Sequence, residues 1–419
     1  MAQRILILSW EYPPVVEGGL ARHVRKVSEA LVAQGVQVHV LTRGLGTHHP
    51  NRPPTTPLPE EVRAGVRVHR VPEPRKPGDL DAFVEWIEAM NEDMLDAGRR
   101  LAKRHRFDVV HGHDWLLGSA GARLAHETRA PFVTTIHATE HGRHQGWVDK
   151  HPQAHIHGVE AWMTRRAQRV IVCSQYMRGH VTEVFGVPET RVSVIPNGID
   201  PDDLVAVEDL DSLRARFAAP DEKLVLLIGR LVYEKGFQLV LDALAGPDGV
   251  VARVDGVRFL VAGSGPHQAE LEAQARRLGL MSRGTFLGWI DDDLLHSLYR
   301  IADLCVVPSL YEPFGLVALE AMASRCPCIV ADTGGLREVV PTPDVGVRFR
   351  TRDARSLATM MERVLTDDGL RDGLISEGWE HVRRFDWGDI ALRTREVYAE
   401  LTGTAVVPVA RREPRRERA

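Results

Sequence analysis

The sequence predicts an α/β protein built from two doubly wound parallel sheets. Short apolar runs, typical of buried strands, alternate with helical periods from residue 4 to about residue 400, a pattern that indicates parallel sheets covered by helices on both faces. The chain has 419 residues, which is too long for one ordinary core and suits two domains. Turn residues at 196–201, Pro-Asn-Gly-Ile-Asp-Pro, separate the two series of strands and helices.

Composition limits the possible classes of function. The formal net charge is −4, so no global basic field favours nucleic acid as a partner. A run of about 18 apolar residues, which a membrane span needs, is missing, and the start of the chain lacks the apolar region of a signal peptide. The four cysteines are too few for a disulfide framework. We therefore expect a cytoplasmic protein without a transmembrane segment.

The predicted elements follow one another as strand, loop and helix. In the first half, strands are predicted over 4–9, 36–41, 66–71, 107–111, 131–136, 169–173 and 191–195, and helices over 21–34, 81–104, 154–167 and 175–184. In the second half, strands are predicted over 224–228, 259–262, 285–287, 303–308 and 328–331, with helices starting near 315, over 377–384 and ending near 401. Residues 44–59, rich in Gly, His, Pro and Thr, are predicted to form a surface loop.

Two glycines end the loop after the first predicted strand. Gly18 and Gly19 close a proline-rich loop and open a helix. Without Cβ atoms their backbone N–H groups can approach a phosphate at the helix start. The alternative is an ordinary turn, since glycines often precede a helix. A dinucleotide-binding Gly-x-Gly-x-x-Gly pattern is absent here.

Polar side chains follow two further strands of the first half. His113 and Asp114 end one predicted strand and His137 the next, and ligands of open parallel sheets bind beyond such strand ends. Asp114 could instead cap the helix that follows, and His137 could be a core or capping residue. His137 with His141 and His144 is not expected to bind metal, because no cysteine or paired carboxylate stands at ligand spacing.

Charged residues mark the corresponding loops of the second half. Arg230 and Lys235 flank a loop that precedes a helix, where cations oppose the helix dipole but can hold a diphosphate. The alternative is a pair of solvated charges. Three aspartates at 291–293 could be mistaken for a metal site, but they open a helix, where acidic residues favour the dipole.

The segment 309–320 is the strongest candidate for the chemistry. It leaves an apolar strand, turns at Pro313 and Gly315, and begins a helix whose unpaired N–H groups favour an anion. Glu312 lies in the loop and Glu320 lies about a turn and a half into the helix. Carboxylates on both sides of an anion-binding helix start suit a ligand that has hydroxyls and phosphates, such as a sugar nucleotide.

The spacing of these two glutamates, seven residues apart with Pro-Phe-Gly-Leu between them, resembles the signature of family 4 retaining glycosyltransferases. The Gly-Gly-Leu, His-Asp-Trp, Asn-Gly-Ile-Asp and Gly-Arg…Lys-Gly segments resemble the same family. The Ser-Trp-Glu-Tyr-Pro-Pro opening and the Ile-His-Ala-Thr-Glu segment are most similar to bacterial glycogen synthases and actinobacterial α-1,4-glucosyltransferases. The resemblance covers nearly the whole chain.

This resemblance implies the GT-B fold, in which two Rossmann-like domains face a cleft. The implied domains are an acceptor domain over 1–196, a nucleotide-sugar donor domain over 197–384, and a helix over 385–402 that crosses back to the first domain. Residues 403–419 lose periodicity and are expected to form a disordered basic tail. The implied activity is retaining transfer of glucose from ADP- or UDP-glucose to the non-reducing end of an α-1,4-glucan or oligoglucoside.

The resemblance also implies roles for the candidate residues. His137 would lie against the donor sugar, Arg230 and Lys235 would neutralise the leaving diphosphate, and Glu312 would stabilise the sugar centre or bind its hydroxyls. The remaining implied contacts are Gly18 and Gly19 with the diphosphate, Asp114 with the acceptor, Phe314, Gly315 and Leu316 with sugar hydroxyls and phosphate, and Glu320 with the ribose.

No metal and no cofactor are expected, because the nucleotide sugar is a substrate and cations with helix dipoles can stabilise its leaving group. Three alternatives stay open. One is another family 4 mannosyl- or hexosyltransferase with a lipid, inositol or small-molecule acceptor. The second is a sugar-nucleotide epimerase, and the third is a non-catalytic nucleotide-sugar binder. The oligomeric state is not predicted.

Overall fold

The computed structural model describes residues 2–44, 59–73, 81–206 and 209–406. The strands are β1 (Arg4–Ser9), β2 (Gln37–Gly44), β3 (Glu60–Arg63), β4 (Val66–Pro72), β5 (Val109–His113), β6 (Phe132–Ile136), β7 (Arg169–Val172), β8 (Val192–Val194), β9 (Lys223–Ile228), β10 (Val257–Ala262), β11 (Gly284–Gly288), β12 (Leu304–Val307), β13 (Cys328–Ala331) and β14 (Val347–Phe349). The helices are α1 (Gly19–Ala33), α2 (Asp81–Arg104), α3 (Gly118–Thr128), α4 (Glu140–Arg143), α5 (Gln153–Arg166), α6 (Gln175–Phe185), α7 (Leu210–Ala215), α8 (Phe237–Leu244), α9 (Val250–Arg253), α10 (Gln268–Arg277), α11 (Asp292–Ile301), α12 (Leu316–Ala323), α13 (Leu336–Val339), α14 (Ala354–Thr366), α15 (Asp368–Val382) and α16 (Trp387–Thr402).

The first sheet has the strand order β3-β4-β2-β1-β5-β6-β7-β8. Its neighbours pair in parallel, except that β3 runs antiparallel to β4. The prediction of a parallel sheet is therefore correct for this half apart from one edge strand. The sequence did not indicate β3 because Glu-Glu-Val-Arg contains a single apolar residue, and no residue of this edge strand is fully buried.

The second sheet has the order β11-β10-β9-β12-β13-β14, with parallel neighbours throughout. Counted along the chain this is 3-2-1-4-5-6, the order of Rossmann sheets.

Four strand residues of the first sheet, Ile5 to Leu8, are fully buried in succession. Such a run is expected where helices cover both faces of a parallel sheet.

The last helix, α16, packs against the first sheet rather than the second. Its buried residues Ile390, Val397 and Tyr398 belong to the same apolar cluster as Ile5 and Ile7 of β1. The Tyr398 hydroxyl lies 2.6 Å from Nδ1 of His111 on β5. This helix therefore ties the end of the chain to the first half.

Some predicted features lie outside the described residues. These are nearly all of the loop predicted over 44–59 and, beyond residue 406, the tail predicted over 403–419. Gly403, with φ 66°, ends α16 in the left-handed conformation that favours glycine. No helix among the described residues combines the length and apolar character needed to cross a membrane.

Candidate active site

The strand order of each sheet reverses once, and both reversals face the same cleft. The first sheet reverses between β1 and β5, and the second between β9 and β12. Ligands of open α/β sheets bind outside the carboxyl ends of strands at such switch points. Contacts between the loops at these ends close the cleft: Thr139 donates its N–H to the Tyr311 hydroxyl at 3.2 Å, and Ser174 Oγ donates to the Pro313 carbonyl at 2.7 Å.

Lys235 and Glu312 meet at the second switch point. Lys235 Nζ lies 2.7 Å from Glu312 Oε2, and Ser309 Oγ donates to the same oxygen at 3.0 Å. Glu312 is buried, with 9% of its surface exposed. A lysine ammonium has three donors, so Lys235 can hold this carboxylate and still offer protons to a second anion. The sequence placed both residues in the site but did not indicate that they pair.

Arg230 follows β9 and is the more exposed cation of this site. Its side chain is 58% exposed, and Glu234 lies 3.9 Å from its guanidinium. Desolvation within the cleft, followed by the charge of Arg143 from the first sheet, lowers the pKa of Arg230 from its ordinary value. Guanidinium groups remain protonated in proteins, so two cations face each other here. An anion bound between them would relieve this repulsion.

Helix α12 begins at the same place. Gly315 precedes it with φ 118°, a conformation that favours glycine, and an added Cβ would meet Leu336 at 2.6 Å. No side chain of the described residues caps this helix start. The Ala318 N–H donates to the Gly315 carbonyl at 3.1 Å, and the N–H groups of the helix before it are left available to an anion. Phe314 is buried, so its backbone rather than its ring can contact a ligand in the cleft.

The glycine loop of the first half lies directly opposite. A Cβ on Gly19 would come within 3.0 Å of the Leu316 side chain, so the starts of α1 and α12 approach each other across the cleft. The N–H groups of Glu17 and Gly18 donate to the Glu11 carboxylate at 2.7 and 3.0 Å. The Gly18 N–H is therefore already engaged, contrary to the expectation that it approaches a phosphate. Spacing along the sequence does not indicate this contact, because an acid seven residues before a glycine forms no known motif.

Asp114 has a strained backbone at the end of β5. Its φ of 57° is uncommon for a residue other than glycine. It makes no side-chain cap on the turn that follows, so the capping alternative is wrong. Its Oδ1 instead accepts the N–H of His137 at 2.8 Å. Burial raises the pKa of Asp114 to about 6, against the lowering effect of Arg143.

Histidines form the first-sheet side of the cleft. Nδ1 of His113 lies 3.0 Å from Nε2 of His137, and their rings stack with centroids 5.3 Å apart. Burial, with a smaller contribution from Arg143, lowers the pKa of His137 to about 4. Burial also holds the pKa of His113 well below its ordinary value. Both rings are consequently neutral at neutral pH and can exchange hydrogen bonds with uncharged hydroxyls.

Glu320 lies at the far end of the site. The Tyr299 hydroxyl donates to its Oε2 at 2.9 Å, and Arg22 reaches across from α1 to within 3.4 Å of its Oε1. Burial raises the pKa of Glu320 despite Arg22. Glu320, Leu316 and Gly19 line a cavity of about 390 Å³ between the two sheets, within the size range of small-molecule sites. A larger cavity of about 780 Å³, beside α2 and α5, contains none of the predicted site residues.

The sequence does not predict two side chains that make contacts at the cleft, Tyr311 and Arg143. Tyr311 directly precedes Glu312 and reaches the first half, where it would overlap any Cβ placed on Gly142. Arg143 lies among Asp114, Glu140 and Glu160, whose charges raise its pKa although burial opposes this. Tyr311 carried a usable signal, because it adjoins the recognised glutamate. Arg143 carried none, since its partners come from distant parts of the chain.

Two segments that could be mistaken for metal sites make other contacts in the structure. Asp291 caps α11 by accepting the Leu294 N–H at 2.9 Å. His144 pairs with Glu140 at 3.1 Å, and the described residues do not bring it together with His137 and His141 as a metal cluster. A different trio does meet, comprising His23, His113 and His137. Nothing in their spacing along the sequence connects these three.

Two Rossmann-like sheets whose switch points share one cleft define a protein of the GT-B class. A family model for glycosyltransferase family 4 matches residues 17–203, and one for glycosyl transferases group 1 matches residues 211–381. The chain is 40% identical over 403 residues to the glycogen synthase of Mycobacterium tuberculosis, covering 94% of each chain. It is 31% identical over 410 residues to a D-inositol 3-phosphate glycosyltransferase of Xylanimonas cellulosilytica, covering 92% of each.

Among solved structures, a sucrose-phosphate synthase from Thermosynechococcus elongatus superposes with a TM-score of 0.79 at 27% identity, covering 96% of this chain and 99% of that one. The chain therefore belongs to glycosyltransferase family 4. It is a glycosyltransferase of the glycogen-synthase-like kind, and the predictions of the family, the fold class and enzymatic activity are confirmed.

Proposed function

We propose that this enzyme moves glucose, with retention of configuration, from ADP- or UDP-glucose to the non-reducing end of an α-1,4-glucan or oligoglucoside. The observation that carries the proposal is the Lys235–Glu312 pair, 2.7 Å apart at the switch point of the second sheet. It places a cation and a buried carboxylate beside the uncapped start of α12. A diphosphate leaving group and a sugar that becomes positive in the transition state need this combination.

The diphosphate would bind between Arg230, Lys235 and the start of α12. Arg230 is the more exposed of the two cations, and desolvation within the cleft, followed by repulsion from Arg143, lowers its pKa. Binding an anion removes that repulsion, so the site is preorganised for negative charge before the donor arrives. As the sugar–oxygen bond breaks, the same groups stabilise the charge that develops on the diphosphate. No metal is required for this step.

The sugar would lie between Glu312 and His137. Glu312 is fixed by Lys235 and Ser309, so it can accept hydrogen bonds from sugar hydroxyls or stabilise positive charge on the sugar ring. His137, held neutral by burial, can exchange a hydrogen bond with a hydroxyl. Glu320, which lines the cavity between the two sheets, would accept the ribose hydroxyls.

The hydrogen bonds and ion pairs of the carboxylates support retention of configuration without a protein nucleophile. Asp114 faces the amides of His137 and Ala138, and Glu312 is bound to Lys235 and Ser309. Neither is free to attack the sugar without breaking these bonds. The acceptor hydroxyl would then attack from the face that the diphosphate leaves, and the departing phosphate oxygen can take its proton.

A second candidate follows from the relative named D-inositol 3-phosphate glycosyltransferase, 31% identical over nearly the full length. A phosphorylated acceptor needs a cation on the first-sheet side, and Arg143 is a cation there, although it already lies among Asp114 and two glutamates. A glucan needs only neutral hydrogen-bonding groups, which His113 and His137 supply.

Cytoplasmic localisation stays a prediction that rests on the four cysteines, all free and buried.

The test is a donor-by-acceptor screen. Purified enzyme is incubated with ADP-glucose, UDP-glucose or GDP-mannose, each with maltooligosaccharides, an inositol phosphate or no acceptor. We expect glucosylated oligosaccharides from one of the two glucose donors, with an α-linkage visible by NMR. Transfer only to the inositol phosphate would replace the proposal with the second candidate. Conversion of the donor without any acceptor would indicate an epimerase, and donor binding without turnover a non-catalytic sensor.

A further inference from the structure

Three histidine rings from separate elements converge where the cleft meets the first sheet. His23 comes from α1, His113 ends β5 and His137 follows β6. One ring nitrogen can be chosen from each so that the three atoms lie within 4.8 Å of one another. The rings of His23 and His137 meet edge to face, with centroids 4.6 Å apart. The cluster is therefore compact although its members are far apart in the sequence.

Two nitrogens of this cluster have no hydrogen-bond partner. Nδ1 of His23 and Nε2 of His113 are buried and make no hydrogen bond with any described residue, and His113 itself is fully buried. A buried polar atom without a partner is costly and calls for a ligand or an ordered water. The other ring nitrogen of His113, Nδ1, lies 3.0 Å from Nε2 of His137. The three rings thus offer more nitrogen ligands than the protein itself uses.

We propose that His23, His113 and His137 form a binding site for a transition-metal ion that prefers imidazole ligands, with Zn²⁺ as the first candidate. Three histidines with an open fourth position make up a known type of zinc coordination, and imidazole nitrogen suits Zn²⁺, Cu²⁺ and Ni²⁺ better than Mg²⁺ or Ca²⁺. The three ligands come from two strand ends and one helix, which are rigid elements.

The distances fit with a small adjustment. Two nitrogens bound to one Zn²⁺ at about 2.0–2.1 Å are separated by about 3.4 Å in a tetrahedral site. His113 Nδ1 and His137 Nε2 are 3.0 Å apart. With no separation above 4.8 Å, the others must shorten by about 1.4 Å at most. Rotation of the His23 ring about its side-chain torsions can supply this movement.

Occupation of this site has a consequence for transfer. His137 is the residue that we place against the donor sugar, so an ion bound to its ring would exclude the sugar. Zn²⁺ should then inhibit in competition with the donor. This inhibition rests on the proposed function, whereas binding of the ion does not.

The chain contains a matched control for the site. His39 Nδ1 and His69 Nε2 are also 3.0 Å apart and their rings stack. They belong to the outer part of the first sheet, on β2 and β4, and no metal-binding trio is found around them among the described residues. The variant His69→Gln therefore removes a histidine from a pair with the same nitrogen separation and leaves the trio untouched.

The experiment titrates chelator-treated, untagged protein with Co²⁺, following its visible absorption, and then displaces Co²⁺ with Zn²⁺ in a calorimeter. We expect one equivalent to bind with the spectrum of nitrogen-ligated Co²⁺. His23→Gln and His113→Asn should each weaken binding by about 100-fold or more, since loss even of outer-shell partners costs up to that amount. His69→Gln should bind like the parent.

Three outcomes would overturn the site: no cobalt spectrum in the folded parent, unchanged binding in His23→Gln, or an equal loss in His69→Gln. Circular dichroism and thermal unfolding verify that each variant is folded. His23→Gln is the safer variant, because His23 is only partly buried and glutamine is a good helix former. Zn²⁺ that binds without inhibiting transfer would uphold the metal site and contradict the role we propose for His137.

Discussion

The two switch points of the molecule differ in the charge of the side chains that line the cleft. At the second sheet, Lys235 lies 2.7 Å from the Glu312 carboxylate, and the half-exposed Arg230 carries a guanidinium, a group that remains protonated in proteins. At the first sheet, burial keeps His113 and His137 neutral by lowering their pKa values. The same fold, used twice, thus gives the shared cleft two cations from the second sheet and a pair of neutral histidines from the first.

This difference has a physical reason if the two faces bind different parts of the reacting pair. A group that stabilises a leaving diphosphate must remain ionised, so it needs solvent or a counter-ion. A group that orients uncharged hydroxyls gains from burial, because its hydrogen bonds strengthen away from water. The contrast favours phosphate binding by the second sheet and hydroxyl recognition by the first.

Removing the cation should give the largest effect. We expect Lys235→Ala to lower transfer by roughly a hundredfold, the scale of a lost electrostatic contact in the transition state. The loss should appear in kcat as well as kcat/KM, because charge on the diphosphate develops only as the bond breaks. Steady-state kinetics with the donor identified in the screen is the measurement.

The control for this variant is Lys223→Ala. Lys223 begins β9, the strand whose opposite end leads to Arg230 and Lys235, so it shares the strand but not the cleft. Near-unchanged turnover in Lys235→Ala would remove Lys235 from the mechanism. A double variant, Lys235→Ala with Glu312→Gln, measures the interaction between the two residues, because the losses from residues in direct contact should not be additive.

An intermediate effect is expected from Asp114→Asn, which tests the claim that the first face tolerates little charge. Burial raises the pKa of Asp114 from 3.8 to about 6, so the folded state binds its proton more tightly than the unfolded chain. The stability from this proton is complete below about pH 4 and is lost as the pH rises through about 6. The shift corresponds to about 3 kcal/mol, and partial solvent access should reduce it to about 2 kcal/mol.

Urea unfolding of both proteins at about pH 5 and pH 8 measures this difference. Asp114→Asn should be more stable than the parent at the higher pH and lose that advantage in acid, while its transfer activity falls. The buried histidines act in the opposite sense, because a lowered pKa makes stability fall as the medium becomes acidic. Comparing variant with parent cancels their contribution. A less stable variant at about pH 8 would mean that the carboxylate stabilises the fold.

The comparison also shows where sequence information ends. Strands β1, β9 and β13 and helix α2 could be predicted almost to the residue, because apolar period and length are local properties. The residues of the second site could be named for a related reason: they lie in short contiguous segments of a recognisable motif. What the sequence could not supply were contacts between distant segments.

Three examples show this limit. The antiparallel strand β3 pairs at an edge where no apolar pattern is required. Glu11 occupies the Gly18 N–H that was expected to face a phosphate. Arg22 of α1 reaches Glu320 of α12, 298 residues away. Each contact depends on how the chain folds back on itself and cannot be predicted from spacing along the sequence.

The smallest effect should come from the contact that joins the two faces. Gly142 in α4 has an ordinary helical backbone, but a Cβ there would overlap the Tyr311 ring, which directly precedes Glu312. Gly142→Ala should push the two loops apart and displace Glu312 relative to His137. Overpacking costs about 1–3 kcal/mol, and because the strain falls on the closed cleft we expect kcat/KM to fall about tenfold.

The matched variant is Gly158→Ala in α5, where an added Cβ meets no atom within 4 Å. Alanine there should leave transfer unchanged and raise the free energy of unfolding by about 0.5–1 kcal/mol, as for a glycine inside a helix. Kinetics and thermal unfolding of both variants decide the outcome. If Gly142→Ala lowered the melting temperature but left kcat/KM intact, contact between Thr139 and Tyr311 would serve folding alone. The two faces would then work without being held together by this pair.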